Sequence, residues 1–200
     1  MPDRDDPDVL ELRRLLDLHR GDLLAAEAAV CARFARLQAV MFTDLVGFSR
    51  RVEAFGIVHF LRLIYASERL FLPAIAEHGG RALKRDGDSL LSLFDSPTDA
   101  LACALALQRA CAVYNDGCEE SERLDVCIGI GYGEVLCVGR HEVWGAEVNA
   151  AAKLGEDHAC GGETLVTEAV RAAGTAAGYR FIEQGTLFGA RLVFRLDGVA

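Results

Sequence analysis

Asp86-Gly87 separates two short runs, RALKR and DSLLSLF. Asp-Gly between strand-like runs is the strongest short hairpin signal, because glycine accepts the positive φ that a tight turn demands. An antiparallel pair at this point needs further elements to cover its apolar face. The chain supplies them in alternation. AVMFTDL (39–45) reads as a strand, and residues 52–78 read as a long helical region interrupted near Gly56 and Pro73. Pro97 opens a helix, PTDALACALALQRACAVYN, and NDGCEESER follows as a loop. LDVCIGIGYGEVLCVG reads as a second hairpin with glycines at its tip. WGAEVNAAAKLGEDHA is helical, ETLVT a strand, EAVRAAG a short helix, and YRFIEQG and LVFRL are closing strands. This order predicts an α+β fold, with helices packed on a largely antiparallel sheet. Ahead of it, residues 8–37 read as a pair of helices broken at Gly21-Asp22, with Asp22 as N-cap of the second. The expected division is an N-terminal helical extension over 1–37, serving packing or dimerisation, and one main domain over 38–200.

The length of 200 residues suits about one domain. A net charge of −9 lacks the basic field that nucleic acid or an anionic membrane surface attracts. An anionic ligand would therefore need a local cluster of donors or metal ions. The seven cysteines are odd in number and form no CxxC pair, which fits small core fillers in a reducing compartment. MPDRDDPD is acidic and unlike a signal peptide, and no apolar run approaches the roughly 18 residues of a membrane helix. The expected location is the cytoplasm.

Two carboxylates stand out. Asp44 closes the strand AVMFTDL, and Asp88 begins the strand after the Asp86-Gly87 turn. Each alone reads most simply as a strand-end or turn carboxylate that caps local N–H groups. On neighbouring strand ends they would form a hard oxygen site suited to Mg²⁺ or Mn²⁺, able to hold two ions around a phosphoryl group. LVGFS follows Asp44, and Gly47 would let exposed backbone N–H groups approach a phosphate. Gly129, Gly131 and Gly133 alternate without GxGxxG spacing, so close backbone packing is their better reading. His59, His78, His141 and His158 are scattered and receive no role.

FTDLVGFS, KRDGDSLLSLF, IGIGYGEV and VWGAEVNAAAKL occur in the order and spacing of class III nucleotide cyclases, the adenylyl/guanylyl cyclase catalytic domain, which the chain resembles over about residues 38–197. The resemblance implies a ferredoxin-like palm working as a head-to-tail homodimer, with active sites shared across the interface. It also implies cyclisation of a nucleoside triphosphate to a 3′,5′-cyclic nucleotide and pyrophosphate, with two Mg²⁺ or Mn²⁺ ions per site. Asp44 and Asp88 match the family's metal-binding aspartates, and the Leu45 carbonyl would join one ion. Gly47, Phe48 and Ser49 would cradle the phosphates. Asn149 matches the ribose-orienting asparagine, and the two positions Asn149 and Lys153 lie four apart on one helix face.

Several positions depart from the family pattern. Lys153 stands where most members have a transition-state arginine, and it offers charge without a planar fork. Lys84 matches the adenine-selecting lysine, but its partner position holds Glu142 in place of aspartate. The extra methylene shrinks the base pocket or lets the two residues close as an ion pair. Phe188 replaces a triphosphate-contacting lysine, and Arg191 is the nearby candidate to compensate. With no sensor, receptor or membrane domain expected alongside, these departures also resemble the stand-alone pyrimidine cyclases of bacterial antiphage defence (the Pycsar type). ATP and a pyrimidine triphosphate, UTP or CTP, thus both remain open as substrates. The rival reading is a pseudo-cyclase, a dimeric module that binds a nucleotide or partner without turnover.

Overall fold

The computed structural model describes residues 6–199, apart from the side chains of Phe48 and Ser49. Two helices come first, α1 (Pro7–Leu18) and α2 (Leu23–Phe34). Asp22 caps α2 as expected, its carboxylate accepting from the Ala25 N–H at 3.0 Å. The helical pattern in the sequence runs on to residue 37, but the chain becomes extended at Ala35. There β1 (Ala35–Leu45) begins, and pairing of Ala35 with Leu136 overrides helix propensity. Val9, Leu15, Val30 and Phe34 of the helical pair pack with Val138 of the sheet.

After β1 come α3 (Phe48–Phe55) and α4 (Ile57–Glu77), separated at Gly56, whose φ of 82° a side chain would resist. The expected second interruption is not there. Pro73 lies inside α4, and the buried stripe of Phe60, Leu63, Ile64, Phe71 and Ile75 continues through it. Apolar burial along that stripe outweighs the one helical hydrogen bond proline removes.

The hairpin of β2 (Arg81–Asp86) and β3 (Ser89–Phe94) forms as predicted, with one correction. Asp86 pairs with Ser89, so Gly87 and Asp88 are the turn, and Asp88 sits in the turn instead of opening the strand. Glycine comes first with φ 60°, as in the II′ pattern that matches strand twist.

Then follow α5 (Pro97–Asn115), β4 (Val126–Val138), β5 (Glu142–Trp144), α6 (Ala146–Lys153), β6 (Thr164–Thr167), α7 (Glu168–Ala176), β7 (Tyr179–Leu187) and β8 (Arg191–Val199). The eight strands order as β2-β3-β1-β4-β6-β8-β7, with β5 paired to β4. Among the described residues, only the β4–β6 contact is parallel. The fold is α+β, as expected.

One face of the sheet, carrying Ala39, Met41, Ile128 and Ile130, is covered by α4, α5 and α7. The other, carrying Val40, Val135 and Leu93, receives α6 through Ala151. A second correction concerns β4, which runs unbroken through the three glycines where a hairpin tip was expected. Gly129, Gly131 and Gly133 face α6, and a Cβ on Gly129 would stand 2.1 Å from the Ala151 carbonyl oxygen. One on Gly131 would stand 2.7 Å from the Glu147 carbonyl oxygen. The glycines form a track on which the helix lies, which bears out the close-packing reading.

Cys103, Cys111 and Cys127 are buried and all seven cysteines are free. Burial pushes the thiols of those three up to about 12, so they behave as inert fillers. Among the described residues, no helix is long and apolar enough to cross a membrane.

Candidate active site

Alternation along β1 decides where its side chains point. Ala39, Met41 and Leu45 enter the helix-covered core, so Val40, Phe42 and Asp44 share the opposite face, toward α6. Leu45 has its side chain in the core and can offer the site only its carbonyl oxygen. Register brings the second aspartate in. Thr43 pairs with Leu90 of β3, which sets Ser89 beside Asp44, and the Ser89 hydroxyl donates to Asp44 Oδ1 at 2.7 Å. Asp88 precedes Ser89 in the turn, so both carboxylates meet at one corner of the sheet.

They strain one another electrostatically. Burial, then the charge of Asp44, pushes Asp88 up to about 6, against its own backbone N–H, which favours the anion; Glu156 adds a smaller push. Asp44 is also raised, by burial first and then by Glu156, while the Ser89 hydroxyl pulls the other way. Two half-buried, mutually repelling carboxylates are what a dication satisfies. The donor set is entirely oxygen, and Ser89 engages only one oxygen of Asp44, so the residues fit Mg²⁺ or Mn²⁺. Among the described residues, no three His, Cys, Asp or Glu side chains gather closely enough to enclose an ion. Most coordination positions would thus fall to a backbone carbonyl, water and substrate oxygens, as is usual for Mg²⁺.

Gly47 follows directly, with φ 83°, and its carbonyl accepts from the Arg51 N–H at 2.9 Å as α3 begins. Residues 47–49 therefore place the N-terminal N–H groups of α3 next to the aspartate corner. The side chains expected at Phe48 and Ser49 lie outside the described residues. Arg51 fastens α3 from behind, Nη1 donating to the Arg123 carbonyl at 2.5 Å.

Lys84 pairs with Leu91 across a bulge in β2, which puts it on the Phe42 and Asp44 face. Glu142 opens β5 opposite Val138. Its neighbour His141 bonds through Nδ1 to the Leu83 carbonyl at 3.1 Å, drawing the two segments together. No ion pair joins Lys84 to Glu142 among the described residues, so of the two alternatives the closed pair does not form here.

Asn149 and Lys153 lie on the exposed side of α6, away from the glycine track that holds Glu147 and Ala151. No hydrogen bond or ion pair among the described residues connects either to Asp44 or Asp88. Lys153 pairs with Asp157, whose hydrogen bond and charge, ahead of Glu156, hold its ammonium protonated.

Arg191, the candidate to compensate at the triphosphate, pairs through its guanidinium with Glu147. Glu147 is 9 % exposed and also accepts from the Tyr132 N–H at 3.1 Å and the Thr167 hydroxyl at 3.3 Å. Phe188 occupies the β7–β8 turn at φ 50°, unusual for an aromatic residue, and is 61 % exposed. Sequence reasoning missed Ser89, whose place follows from hairpin register, and Glu147, whose burial has no local signature.

The fold and this corner together define a nucleotide cyclase catalytic domain. Residues 35–188 match the family described as the Adenylate and Guanylate cyclase catalytic domain, and the chain belongs to that family. It is 34% identical over 134 residues to the "Serine/threonine-protein kinase pkn2" of Myxococcus xanthus, covering 67% of this chain and 16% of that protein. It is 33% identical over 119 residues to the "Putative adenylate cyclase 3" of Rhizobium meliloti, covering 60% of this chain and 20% of that protein. The chain thus spans a fifth or less of either relative. The crystal structure of an "Adenylate/Guanylate Cyclase/Hydrolase" from Silicibacter pomeroyi superposes with a TM-score of 0.68 at 28% identity, covering 81% of this chain and 96% of that one.

Proposed function

We propose that the protein cyclises a nucleoside triphosphate to a 3′,5′-cyclic nucleotide second messenger. The bond from the ribose 3′-oxygen to the α-phosphorus forms, the bond to pyrophosphate breaks, and the 3′-hydroxyl proton is lost. The observation that carries this reading is the meeting of Asp44 and Asp88 beside the α3 N-terminus. Two Mg²⁺ or Mn²⁺ ions would supply charge neutralisation and acidify the attacking hydroxyl.

The chain's own residues do the holding. Asp44, Asp88 and the Leu45 carbonyl bind the ions, and the backbone of Gly47, Phe48 and Ser49 receives the phosphates. Asn149 orients the ribose, and Lys153 offsets charge building on the phosphates as a point charge, with less orientational control than arginine. Both stand on the exposed side of α6 and bond to neither Asp44 nor Asp88 among the described residues. This supports a homodimer in which Asn149 and Lys153 of one subunit complete the aspartate site of the other. The catalytic domain then begins with β1, and α1 and α2 form the extension that precedes it. A cytoplasmic setting fits this chemistry, since nucleoside triphosphates are cytoplasmic.

Lys84 favours ATP, and the Rhizobium meliloti relative carries an adenylate cyclase description. Glu142 supports a second reading. Its longer side chain would narrow the base pocket toward a pyrimidine, the substrate class of the stand-alone antiphage cyclases that the chain also resembles. Incubation with Mn²⁺ and each of ATP, GTP, CTP and UTP, with identification of the products, decides between them. Mixing Asp44→Ala chains with Asn149→Ala chains should restore part of the activity that each lacks alone. No cyclic product from any triphosphate would overturn catalysis and leave a nucleotide-binding module.

A further inference from the structure

Lys84 reaches the Asp44 face of the sheet only through an irregularity in its strand. Ala82 pairs with Ser92 and packs against the core on the helix-covered face. By strict alternation Lys84, two residues on, would face the same way. Instead the register shifts between Ala82 and Lys84. Lys84 pairs with Leu91, and the inserted residue, Leu83, has no partner in the ladder. Leu83 buries its side chain with Val135 and Val143, so the bulge turns two successive residues toward one face. His141 holds that bulge. Its Nδ1 bonds to the Leu83 carbonyl at 3.1 Å, and since a carbonyl can only accept, Nδ1 carries the proton. A second tie runs the other way, from Arg81 Nη1 to the Arg140 carbonyl at 2.8 Å. Both bonds join β2 to the β4–β5 turn, although β5 pairs in the sheet with β4 and not with β2.

From this geometry we infer that His141 is a positioning residue for base recognition, fixing Lys84 relative to Glu142 by pinning the Leu83 bulge to the β4–β5 turn. Lys84 directly follows the accepting carbonyl, and Glu142 directly follows the donating ring. One hydrogen bond therefore sets the spacing of both polar groups. Neither is consumed by the other, since no ion pair joins them among the described residues, so both ends are available to the edge of a nucleobase. Holding that spacing before a nucleotide arrives spares the cost of ordering it on binding. His141 itself touches no substrate. The inference rests on the reading of Lys84 and Glu142 as the base pocket.

Calorimetric titration of the full chain with Mn²⁺ and each 3′-deoxynucleoside triphosphate tests this apart from turnover, because these nucleotides lack the hydroxyl that cyclises. Tripolyphosphate, which has no base, reports the phosphate and metal contacts alone. His141→Ala should weaken the best-bound triphosphate about tenfold, the worth of about one hydrogen bond, and leave tripolyphosphate affinity as it was. His141→Asn sets an amide N–H near the place of Nδ1 and should keep the affinity and base preference of the wild type. Lys84→Ala should erase the base preference and so reports on the pocket itself. If Lys84→Ala erases it while His141→Ala matches the wild type, the role of His141 is wrong and the base pocket stands. A matching loss of tripolyphosphate affinity in His141→Ala, or no recovery in His141→Asn, would also overturn it, reducing the histidine to general packing. Wild-type base preference in Lys84→Ala would overturn the base pocket and the inference together.

Discussion

Asp88→Asn should stabilise the fold while destroying its activity, and the two effects have one cause. In the metal-free protein Asp88 is half-buried and faces the charge of Asp44, which lifts its carboxyl from 3.8 to about 6. An acid whose pKa is raised by folding prefers its neutral form in the native state. The ionised form is therefore a burden on the fold above pH 6. That burden shrinks as pH falls through 6 and is gone below about 4, where native and unfolded chains are both protonated. Taken whole, the shift corresponds to about 3 kcal/mol, but screening at a half-exposed turn reduces it to about 1 kcal/mol. For a chain of this size that is about 2–4 °C in melting temperature.

Asparagine has the same shape, suits a turn and carries no charge. Melting in EDTA at pH 7.5 should place Asp88→Asn above the wild type by that margin, and the difference should vanish near pH 4. Millimolar Mn²⁺ should then raise the wild-type melting temperature and leave that of the variant unmoved, since only the wild type retains a site to be linked. A variant that melts at or below the wild type at pH 7.5 in EDTA would refute the electrostatic argument. Retained cyclase activity in the same variant would refute the two-metal assignment.

Two further outcomes test how the site is held. Arg191→Ala leaves Glu147 buried without its cation and should destabilise the protein by about 2 kcal/mol in urea unfolding. Adding Glu147→Gln should recover much of that loss; a loss of triphosphate affinity with unchanged stability would instead put Arg191 at the substrate. Gly129→Ala sets a methyl group against the Ala151 carbonyl at 2.1 Å, a contact only movement of α6 can relieve. It should lower kcat at least tenfold through displacement of Asn149 and Lys153, even if the chain remains folded by circular dichroism, and normal kcat would disprove the track's role.

What could be read from the sequence was what chemistry fixes locally. Asp-Gly between two apolar runs forces a hairpin wherever it occurs, and a carboxylate ending a buried strand points to the sheet rim, so the Asp44 and Asp88 corner was legible. The one-residue shift of the turn was not, because either Asp86-Gly87 or Gly87-Asp88 can occupy a two-residue loop and only the Asp86–Ser89 pairing chooses between them. The glycines of β4 show how non-local causes hide. Alternation alone marks a hairpin tip and a bare face equally well. What distinguishes them is α6 and the turn that follows it, where Glu147, Ala151 and Gly155 recur every four residues. Gly131 and Gly133 both lie against Glu147, and Gly129 against Ala151 and Gly155, contacts that only the folded helix reveals. The ion pair between Arg191 and Glu147, 44 residues apart, has no such rhythm. Its consequence is the more instructive one for the site. A cation near the expected triphosphate position is paired with the acid that seats α6, so on the proposed reading anion binding would fall to the metal ions, the α3 N–H groups and Lys153. In a chain with net charge −9, that reading would make metal occupancy the condition for substrate binding as well as for chemistry.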